Sequence, residues 1–287
     1  MRTFAIVTTC NAQGWETYGR QMISSVDQYL PRDVPVYFYV EGFQPDLRSD
    51  RLIVRNLLAS CPDLVAFKER HKNNPVAHGL VGRPRLRLIV QWHKLRLKVR
   101  RFEWGSGYRW DAVRFSHKVF AICHAAAHCD ADALFWMDAD IKVFADVSRE
   151  FLSAAIPEEC FASCLLRPMF SECSFIGFNL IKPATRDFLR ALKSLYLTDS
   201  LFKHQQYHDS YLFDIVRRRF ERRGHRVHDI ASGAGKRSQH VFINSVLGQC
   251  MDHLKGMRKY KGRSDDADLR VSRGEPYWDR SVREHRL

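Results

Sequence analysis

The pattern of apolar and polar positions at the start of the chain predicts a strand, a helix and a second strand. Phe4 to Cys10 and Val34 to Val40 are short apolar runs, rich in β-branched and aromatic residues, that are typical of buried strands. Between them, Trp15 to Leu30 carries apolar residues at helical spacing and stops before Pro31. A βαβ unit implies parallel strands, so we expect an α/β fold with a mostly parallel central sheet.

Later segments continue this alternation. Leu52 to Leu58 is a candidate third strand, Val113 to His128 a helix and Ala133 to Met137 another buried strand. Nucleotides bind at the carboxyl ends of parallel strands in such folds. Thr8, Thr9 and Cys10, at the end of the first strand, are therefore predicted to contact a nucleotide.

One segment departs from the rest in composition. Lys72 to Arg101 contains no acidic residue, and its second half is crowded with basic ones. Five apolar residues recur there at helical spacing: Leu88, Trp92, Leu95, Val99 and Phe102. This spacing predicts a basic helical insertion at about residues 72–104. Its residues 83–102 could contact an anionic membrane at its periphery, or form a solvated surface helix.

The sequence also predicts the domain organisation, the absence of a membrane span and the state of the cysteines. We expect a single domain over residues 1–262, followed by a charged, patternless tail over 263–287 that is loose or docks late. No run approaches the roughly 18 consecutive apolar residues of a membrane span, so a cytoplasmic chain, with peripheral membrane association open, is the expectation. The eight cysteines are expected to be free buried thiols, although Cys160, Cys164 and Cys173 could alternatively bind zinc.

The net charge narrows the class of partner. The chain carries 46 Lys and Arg against 32 Asp and Glu, a formal charge of +14. Such an excess favours anionic partners: phosphates, nucleic acid or an acidic membrane surface. The net charge alone does not distinguish among these three kinds of partner.

The strongest chemical signal is a pair of aspartates after a buried strand. Leu134 to Met137 is apolar and runs directly into Asp138 and Asp140. Side chains two residues apart in an extended chain point the same way, so both carboxylates can face one hard cation. Asp130 and Asp132 show the same spacing just upstream but are predicted to lie in a polar loop.

A second cluster lies near the C-terminus, in the segment His253 to Lys259. A neutral imidazole from His253 could complete a metal site that otherwise offers carboxylates. Gly256 would let backbone approach phosphate closely. The cations of this segment could hold diphosphate oxygens: Lys255, Arg258 and Lys259.

Taken together, these two motifs resemble the metal-dependent GT-A glycosyltransferases. An Asp-x-Asp after an apolar strand, followed much later by His-x-x-Gly-x-x-Lys, is similar to the glycogenin-like and bacterial lipopolysaccharide galactosyltransferase-like branch. Tyr260 and Lys261 stand where that branch has Pro-Trp. The resemblance implies a three-layer α/β/α sandwich with a Rossmann-like nucleotide-binding sheet. It also implies Asp138, Asp140 and His253 as ligands of Mn²⁺ (or Mg²⁺), with Lys259 on the donor diphosphate.

Three further residues fit the same family more loosely. Lys118, on the helix before the metal strand, is a candidate contact to the donor and a catalytic cation. Asn179, at the end of a predicted strand, could contact the acceptor or the sugar. Asp209, at the start of a predicted helix, is a candidate contact to the transferred sugar or a catalytic base, its alternative role being a simple helix cap.

The expected function is transfer of a sugar from a nucleotide-diphosphate donor, with a UDP-sugar implied by the family. The acceptor could be a glycan, a lipid-linked molecule or a protein. The alternative is a metal-dependent protein that binds nucleic acid or cleaves phosphodiesters, since two aspartates and a basic chain also suit that chemistry. No nucleic-acid-binding module is recognisable, so nucleic acid is not the expected partner. A third hypothesis is a catalytically inactive binding scaffold.

Overall fold

A seven-stranded sheet organises the molecule. The computed structural model describes residues 1–80, 84–91, 96–104 and 107–279, with only the backbone described for 84–91, 96–104 and 234–235. Its strands are β1 (Phe4–Asn11), β2 (Val36–Glu41), β3 (Leu52–Asn56), β4 (Pro84–Gln91), β5 (Arg96–Trp104), β6 (Ala133–Met137), β7 (Ile141–Val143), β8 (Ala162–Leu165), β9 (Glu172–Asn179), β10 (Val227–Asp229) and β11 (Met251–His253).

The order of the strands confirms a mostly parallel sheet. The order is β10-β8-β9-β6-β1-β2-β3, and only β9 runs against its neighbours β6 and β8. The other neighbouring pairs are parallel, including β1 with β2 and β1 with β6. The carboxyl ends of β1, β2 and β6 therefore meet at one edge of the sheet.

Helices cover both faces of this sheet. They are α1 (Ala12–Gly14), α2 (Arg20–Tyr29), α3 (Leu57–Ser60), α4 (Pro62–His71), α5 (Ala112–His128), α6 (Arg149–Ala155), α7 (Pro183–Leu197), α8 (Asp209–Glu221), α9 (Val241–Asn244) and α10 (Arg258–Lys261). A π-helical segment, Trp15–Gly19, joins α1 to α2. Among the described helices, none has the length and apolarity needed to cross a membrane.

The side chains of the strands alternate between the two faces of the sheet, and each face has its own hydrophobic core. Phe4 and Ile6 of β1 belong to the core that packs against α2 and α6. Ala5 and Val7 point the other way, into the core shared with α5, α7 and α8. Successive strand residues face opposite sides, so a strand buried on both faces must be apolar throughout. The result is the predicted three-layer α/β/α sandwich.

A small second sheet connects the middle of the chain to its C-terminal part. β7 pairs antiparallel with β11, and His253 lies opposite Ile141 in the register. The Leu254 amide also donates to the Asp140 carbonyl at 2.9 Å. This pairing places the end of β11 directly beside the turn that follows β6.

The predicted helix within the basic segment is wrong. Pro84–Gln91 and Arg96–Trp104 form an antiparallel two-stranded pair instead. The sequence contains the competing signal, since basic and apolar residues alternate strictly from Arg96 to Arg100. A period of two is the pattern of a strand, and Leu97 would fall off the helical stripe. The side chains of residues 83–102 lie outside the described part, so membrane contact through them stays a prediction.

The C-terminal segment docks against the domain over residues 263–279, and residues 280–287 lie outside the described part. The Tyr277 hydroxyl donates to Asp252 of β11 at 2.9 Å, and its ring stacks on Phe144 with 3.9 Å between centroids. Trp278 Nε1 donates to the Gly248 carbonyl at 2.7 Å. The C-terminal segment therefore supports β11 directly, through the hydrogen bond from Tyr277 to Asp252.

The cysteine side chains act as apolar packing groups. All eight thiols are free, and most are buried. Burial raises the pKa of Cys10 to about 12 and that of Cys61 to about 11. A thiol with a raised pKa stays protonated and is a poor nucleophile at neutral pH.

Gly177 is required by the packing of the three central strands. An added Cβ there would lie 2.9 Å from Phe135 Cε1 and 3.1 Å from Ile156 Cβ, and closer still to Ser163 Oγ. We therefore expect Gly177→Ala to lower the free energy of unfolding by about 1–3 kcal/mol, measured by urea denaturation. Gly274→Ala is the control, because no atom lies within 4 Å of the corresponding Cβ. Equal midpoints for the two variants would contradict this account.

The C-terminal end of α2 depends on an ion pair between the buried Arg51 and the half-buried Asp27. The Arg51 guanidinium donates to Asp27 Oδ1 at 3.1 Å and to the Val26 carbonyl at 2.9 Å. Burial would raise the pKa of Asp27, but hydrogen bonds from Ser49 and Arg51 prevail and lower it. Because Val143 of β7 donates to Ser25 of α2 at 3.0 Å, this ion pair also supports the second sheet.

Removing the Asp27 charge should therefore alter stability in a pH-dependent way. A carboxyl whose pKa is lowered by folding stabilises the protein above its unfolded pKa of about 4, and this contribution is lost as the pH falls through the folded value. Asp27→Asn is expected to cost about 1–2 kcal/mol at pH 7 and progressively less below about pH 4. Urea denaturation at several pH values measures this. Asp50→Asn, at an exposed carboxylate nearby, should show no such trend.

Candidate active site

A cavity of about 680 Å³ opens where β1 and β6 end. Its floor is made by Thr9 and Cys10 from β1 and by Asp138 and Asp140 after β6. Because parallel strands present their carboxyl ends on one edge, loops and side chains from separate chain regions converge there. Lys259, from the C-terminal part of the chain, also lines the cavity.

Asp138, Asp140 and His253 come together at this edge. One ligand atom from each lies within 4.8 Å of the others. His253 Nε2 is 3.1 Å from Asp140 Oδ1 and 3.8 Å from Asp138 Oδ2. The pairing of β7 with β11 brings the imidazole across a sequence separation of 113 residues.

The chemistry of these three side chains suits a divalent cation. Carboxylate oxygens are the preferred ligands of Mg²⁺ and Mn²⁺, and imidazole is compatible with transition metals. Burial raises the pKa of Asp138 more than the Lys118 charge lowers it. This carboxylate is therefore incompletely compensated by the protein's own cations. For Asp140, burial is outweighed by His253 and Lys259, which hold its pKa well below the ordinary range.

Lys118 links the aspartate pair to α8. Its ammonium donates to Asp209 Oδ2 at 2.7 Å, to Asp138 Oδ1 at 3.2 Å and to the Cys173 carbonyl. The Lys118 side chain is 9% exposed. Burial would lower its pKa, but the two carboxylates overcome this and raise it. Lys118 is consequently a fixed positive charge at the edge of the cavity.

Asp209 is the first residue of α8 but does not cap it. The N-cap is His208, whose Nδ1 accepts from the Tyr211 amide at 3.4 Å. Burial opposes ionisation of Asp209, but the Lys118 charge and hydrogen bond lower its pKa. The Asp209 carboxylate is therefore ionised and tied to Lys118, and it reaches the cavity wall.

The turn between β11 and α10 directs its basic side chains to different places. Gly256 adopts a φ of +56°, which favours glycine, and lines neither this cavity nor its neighbour. Its positive φ shapes the turn, and its predicted backbone contact to phosphate stays a prediction. Lys259 Nζ lies 2.9 Å from Asp140 Oδ2 and 4.3 Å above the Tyr18 ring. Arg258 instead forms an ion pair with Asp268 and does not line this cavity.

Two other predicted donor contacts, Thr8 and Asn179, do not line this cavity. Thr8 is fully buried and does not line the cavity; the neighbouring Thr9 does, with its hydroxyl donating to the Tyr39 carbonyl at 2.8 Å. Asn179 pairs with Ala133, at the opposite end of β6 from Asp138. Its amide donates to the Glu158 and Cys160 carbonyls at 3.0 and 3.1 Å, so it fixes a turn.

Two residues of the site carried no prediction. Trp136 Nε1 donates to Asp138 Oδ1 at 2.6 Å, and its indole ring lies 4.9 Å from Lys118 Nζ. Nothing in the apolar run around Trp136 indicates this contact. Glu172 begins β9, forms an ion pair with Lys255 and lies 3.9 Å from His253 Nδ1. A carboxylate next to a buried strand requires a partner, and that signal could have identified it.

Neighbouring cations keep the Glu172 carboxylate ionised. Burial would raise the pKa of Glu172, but Lys255, His253 and Arg167 lower it to about 2. The carboxylate is ionised and faces the ring nitrogen of His253 that points away from Asp140. At 3.9 Å this contact is electrostatic and is not a hydrogen bond, so Glu172 adds negative charge behind the imidazole.

Comparisons with known proteins give fold-level likenesses only. No protein-family model matches the chain, and no curated protein matches its sequence. The structure is similar to the glycosyltransferase GlyE of Streptococcus pneumoniae TIGR4, with a TM-score of 0.45 and 10% identity over 75% of this chain and 43% of GlyE. The chain thus spans less than half of GlyE. It is also similar to the apo form of mouse xyloside xylosyltransferase 1, with a TM-score of 0.44 and 11% identity over 79% of this chain and 84% of that one. Neither likeness is strong enough to assign a family.

Proposed function

We propose that this protein is a metal-dependent glycosyltransferase that takes its sugar from a nucleotide diphosphate. The observation that carries the proposal is the convergence of Asp138, Asp140 and His253 within 4.8 Å at the carboxyl edge of a parallel sheet. These groups line or adjoin a cavity of about 680 Å³, which is large enough for a nucleotide. A UDP-sugar is the first donor to test, because the sequence resembles enzymes that use one.

Two aspartates and one imidazole would hold the cation, which we take to be Mn²⁺ or Mg²⁺. When bound, the cation would supply positive charge to the departing diphosphate. Thr9 and Cys10 would contact the nucleotide at the end of β1. Lys259, 2.9 Å from Asp140, is placed to move its ammonium onto a diphosphate oxygen.

Lys118 and Asp209 would act at the transferred sugar. In the transfer, the acceptor hydroxyl oxygen forms a bond to the anomeric carbon, and the bond from that carbon to the diphosphate breaks with its electron pair. The hydroxyl proton leaves to solvent or to a base. A carboxylate whose pKa is lowered, as that of Asp209 is, is a weak base at neutral pH. We therefore assign Asp209 to stabilising positive charge at the anomeric carbon, with Lys118 holding its position.

Thermal-shift measurements with nucleoside diphosphates test this function directly. UDP, GDP, ADP and CDP are added to the full chain with Mn²⁺, with Mg²⁺ or with EDTA. Stabilisation at about 100 times the dissociation constant is about 2.7 kcal/mol, which should raise the Tm by several degrees. We expect such a shift for UDP only when the metal is present. Hydrolysis of UDP-sugars by the same preparation then identifies the sugar.

The experiment also separates the alternatives. Stabilisation by DNA or RNA that falls with salt, without any effect of nucleoside diphosphates, would replace this function with nucleic-acid binding. Binding of UDP and metal without any turnover of nucleotide sugars would favour an inactive scaffold. The absence of any metal-dependent nucleotide binding would overturn the proposed function.

A further inference from the structure

A second cavity of about 690 Å³ adjoins the proposed donor cavity. The two share Phe115, Asp138 and Asp209 in their walls. If the donor occupies the first cavity, as proposed above, a molecule in the second lies next to the transferred sugar. The inference below rests on that function, because it concerns the acceptor.

Two carboxylates of this second cavity, Glu172 and Asp209, are already compensated from within the protein, and the third, Asp138, belongs to the proposed metal site. Glu172 forms ion pairs with Lys255 and, at 3.6 Å, with Arg167. Asp209 is paired with Lys118 at 2.7 Å, and Asp138 shares that ammonium at 3.2 Å. These acidic groups consequently do not cancel other positive charges in the cavity wall.

Two arginines in the same wall are left without a carboxylate partner in the described part of the chain. Arg109 and Arg237 both line the cavity and are exposed to solvent. Arg109 donates from Nε to the Tyr108 hydroxyl at 3.3 Å, which is a neutral partner. Lys236, next to Arg237, differs because it forms an ion pair with Asp229 at 3.0 Å.

Aromatic rings lie among these charges. Tyr108, Phe115 and Phe170 contribute to the cavity wall. Aromatic faces pack against the apolar faces of sugar rings, while a guanidinium recognises phosphate or carboxylate through paired hydrogen bonds. The cavity thus combines a surface for a sugar ring with two unneutralised anion-binding groups.

We propose that the acceptor is a sugar that carries an anionic group, a phosphate or a carboxylate, recognised by Arg109 and Arg237. Its reacting hydroxyl lies toward Asp138 and Asp209, and its anionic group lies toward the two arginines. The net charge of +14 brings such anions to the protein, whereas the two guanidinium groups select them in the site.

Matched pairs of immobilised sugars test the proposal by surface plasmon resonance. The pairs are glucose with glucose 6-phosphate and galactose with galacturonate, each attached through the anomeric carbon. The full chain is applied with UDP and Mn²⁺. We expect the anionic member to be retained about tenfold more strongly, and the two pairs distinguish phosphate from carboxylate. Arg109→Gln and Arg237→Gln should each reduce that preference several-fold.

Arg186→Gln is the control for charge alone. Arg186 is exposed on α7, lines neither cavity and has no ion-pair partner in the described residues, so this variant makes the same change in net charge. A preference that survives in Arg186→Gln but falls in the two cavity variants supports the proposal. Equal retention of both members, retention of neither, or equal losses in all three variants overturns it. Metal-dependent UDP binding is measured in parallel, so failure of the proposed function is seen separately.

Discussion

Asp140→Asn is expected to weaken manganese-dependent UDP binding by about 100-fold or more, measured by isothermal titration of UDP with and without Mn²⁺. Asp140 is the aspartate closest to the His253 imidazole, at 3.1 Å, and it also holds Lys259 at 2.9 Å. The amide keeps the shape of the side chain but removes the negative charge and one metal-binding oxygen. Affinity for the cation and the position of Lys259 should therefore be lost together.

The fold should survive this substitution. Asp138 and Asp140 repel each other, and that repulsion is one reason the pKa of Asp138 is raised, after burial. Removing the charge of Asp140 relieves this repulsion but also removes its ion pairs with His253 and Lys259, so the metal-free Tm should fall modestly while the protein stays folded. Asp130→Asn provides the matched control, because Asp130 belongs to the upstream Asp-x-Asp pattern but is exposed and lines neither cavity. Unchanged metal-dependent UDP affinity in Asp140→Asn would contradict the proposed metal site.

Local patterns predict the central part of the fold well. The apolar runs of β1, β2 and β6 are buried on both faces, and such strands are distinctive in sequence. The aspartates after β6 could be placed at the cavity for the same reason, since they follow a strand with no polar residue. These predictions depend only on neighbours in sequence.

Contacts between distant segments are harder to predict. β7 and β11 have three residues each, too few for periodicity to indicate a strand. Their pairing brings His253 to Asp140, so only the family resemblance could supply that contact. For Asn179, the strand was predicted but its direction was not. It ends its strand as predicted, but β9 runs antiparallel, and the end of an antiparallel strand lies at the far edge of the sheet.

The basic segment shows that two periodicities can coexist in one sequence. Residues at helical spacing were present, yet Arg96 to Arg100 also alternate with apolar residues, and the backbone there is a strand. Amphipathic spacing alone does not decide between these outcomes when a segment is short and highly charged. For the tail, the sequence left docking as one of two possible outcomes. Its anchors, Tyr277 and Trp278, are two aromatic residues in an otherwise polar segment.

Lys118→Met should produce the largest loss of stability among the variants considered. The ammonium is buried between Asp138 and Asp209, at 3.2 and 2.7 Å. Methionine fills a similar volume but leaves two carboxylates without that cation. Breaking a buried ion pair by removing one partner costs about 3–5 kcal/mol, which corresponds to a decrease of roughly 10 °C in Tm. Differential scanning calorimetry in EDTA measures it. Lys203→Met, at an exposed lysine of the described surface, should change the Tm by no more than a degree or two.

A double-mutant cycle distinguishes lost charge from lost packing. If the unpaired carboxylates cause the instability, Lys118→Met combined with Asp209→Asn should be less destabilised than Lys118→Met alone, with a coupling energy of about 1–3 kcal/mol. Mn²⁺ should stabilise Lys118→Met more than it stabilises the original protein, because the cation then replaces the positive charge that Lys118 provided next to Asp138. Strictly additive effects, with no extra stabilisation by Mn²⁺, would mean that Lys118 contributes through packing. In that case it could not hold Asp209 beside the donor in the way we propose.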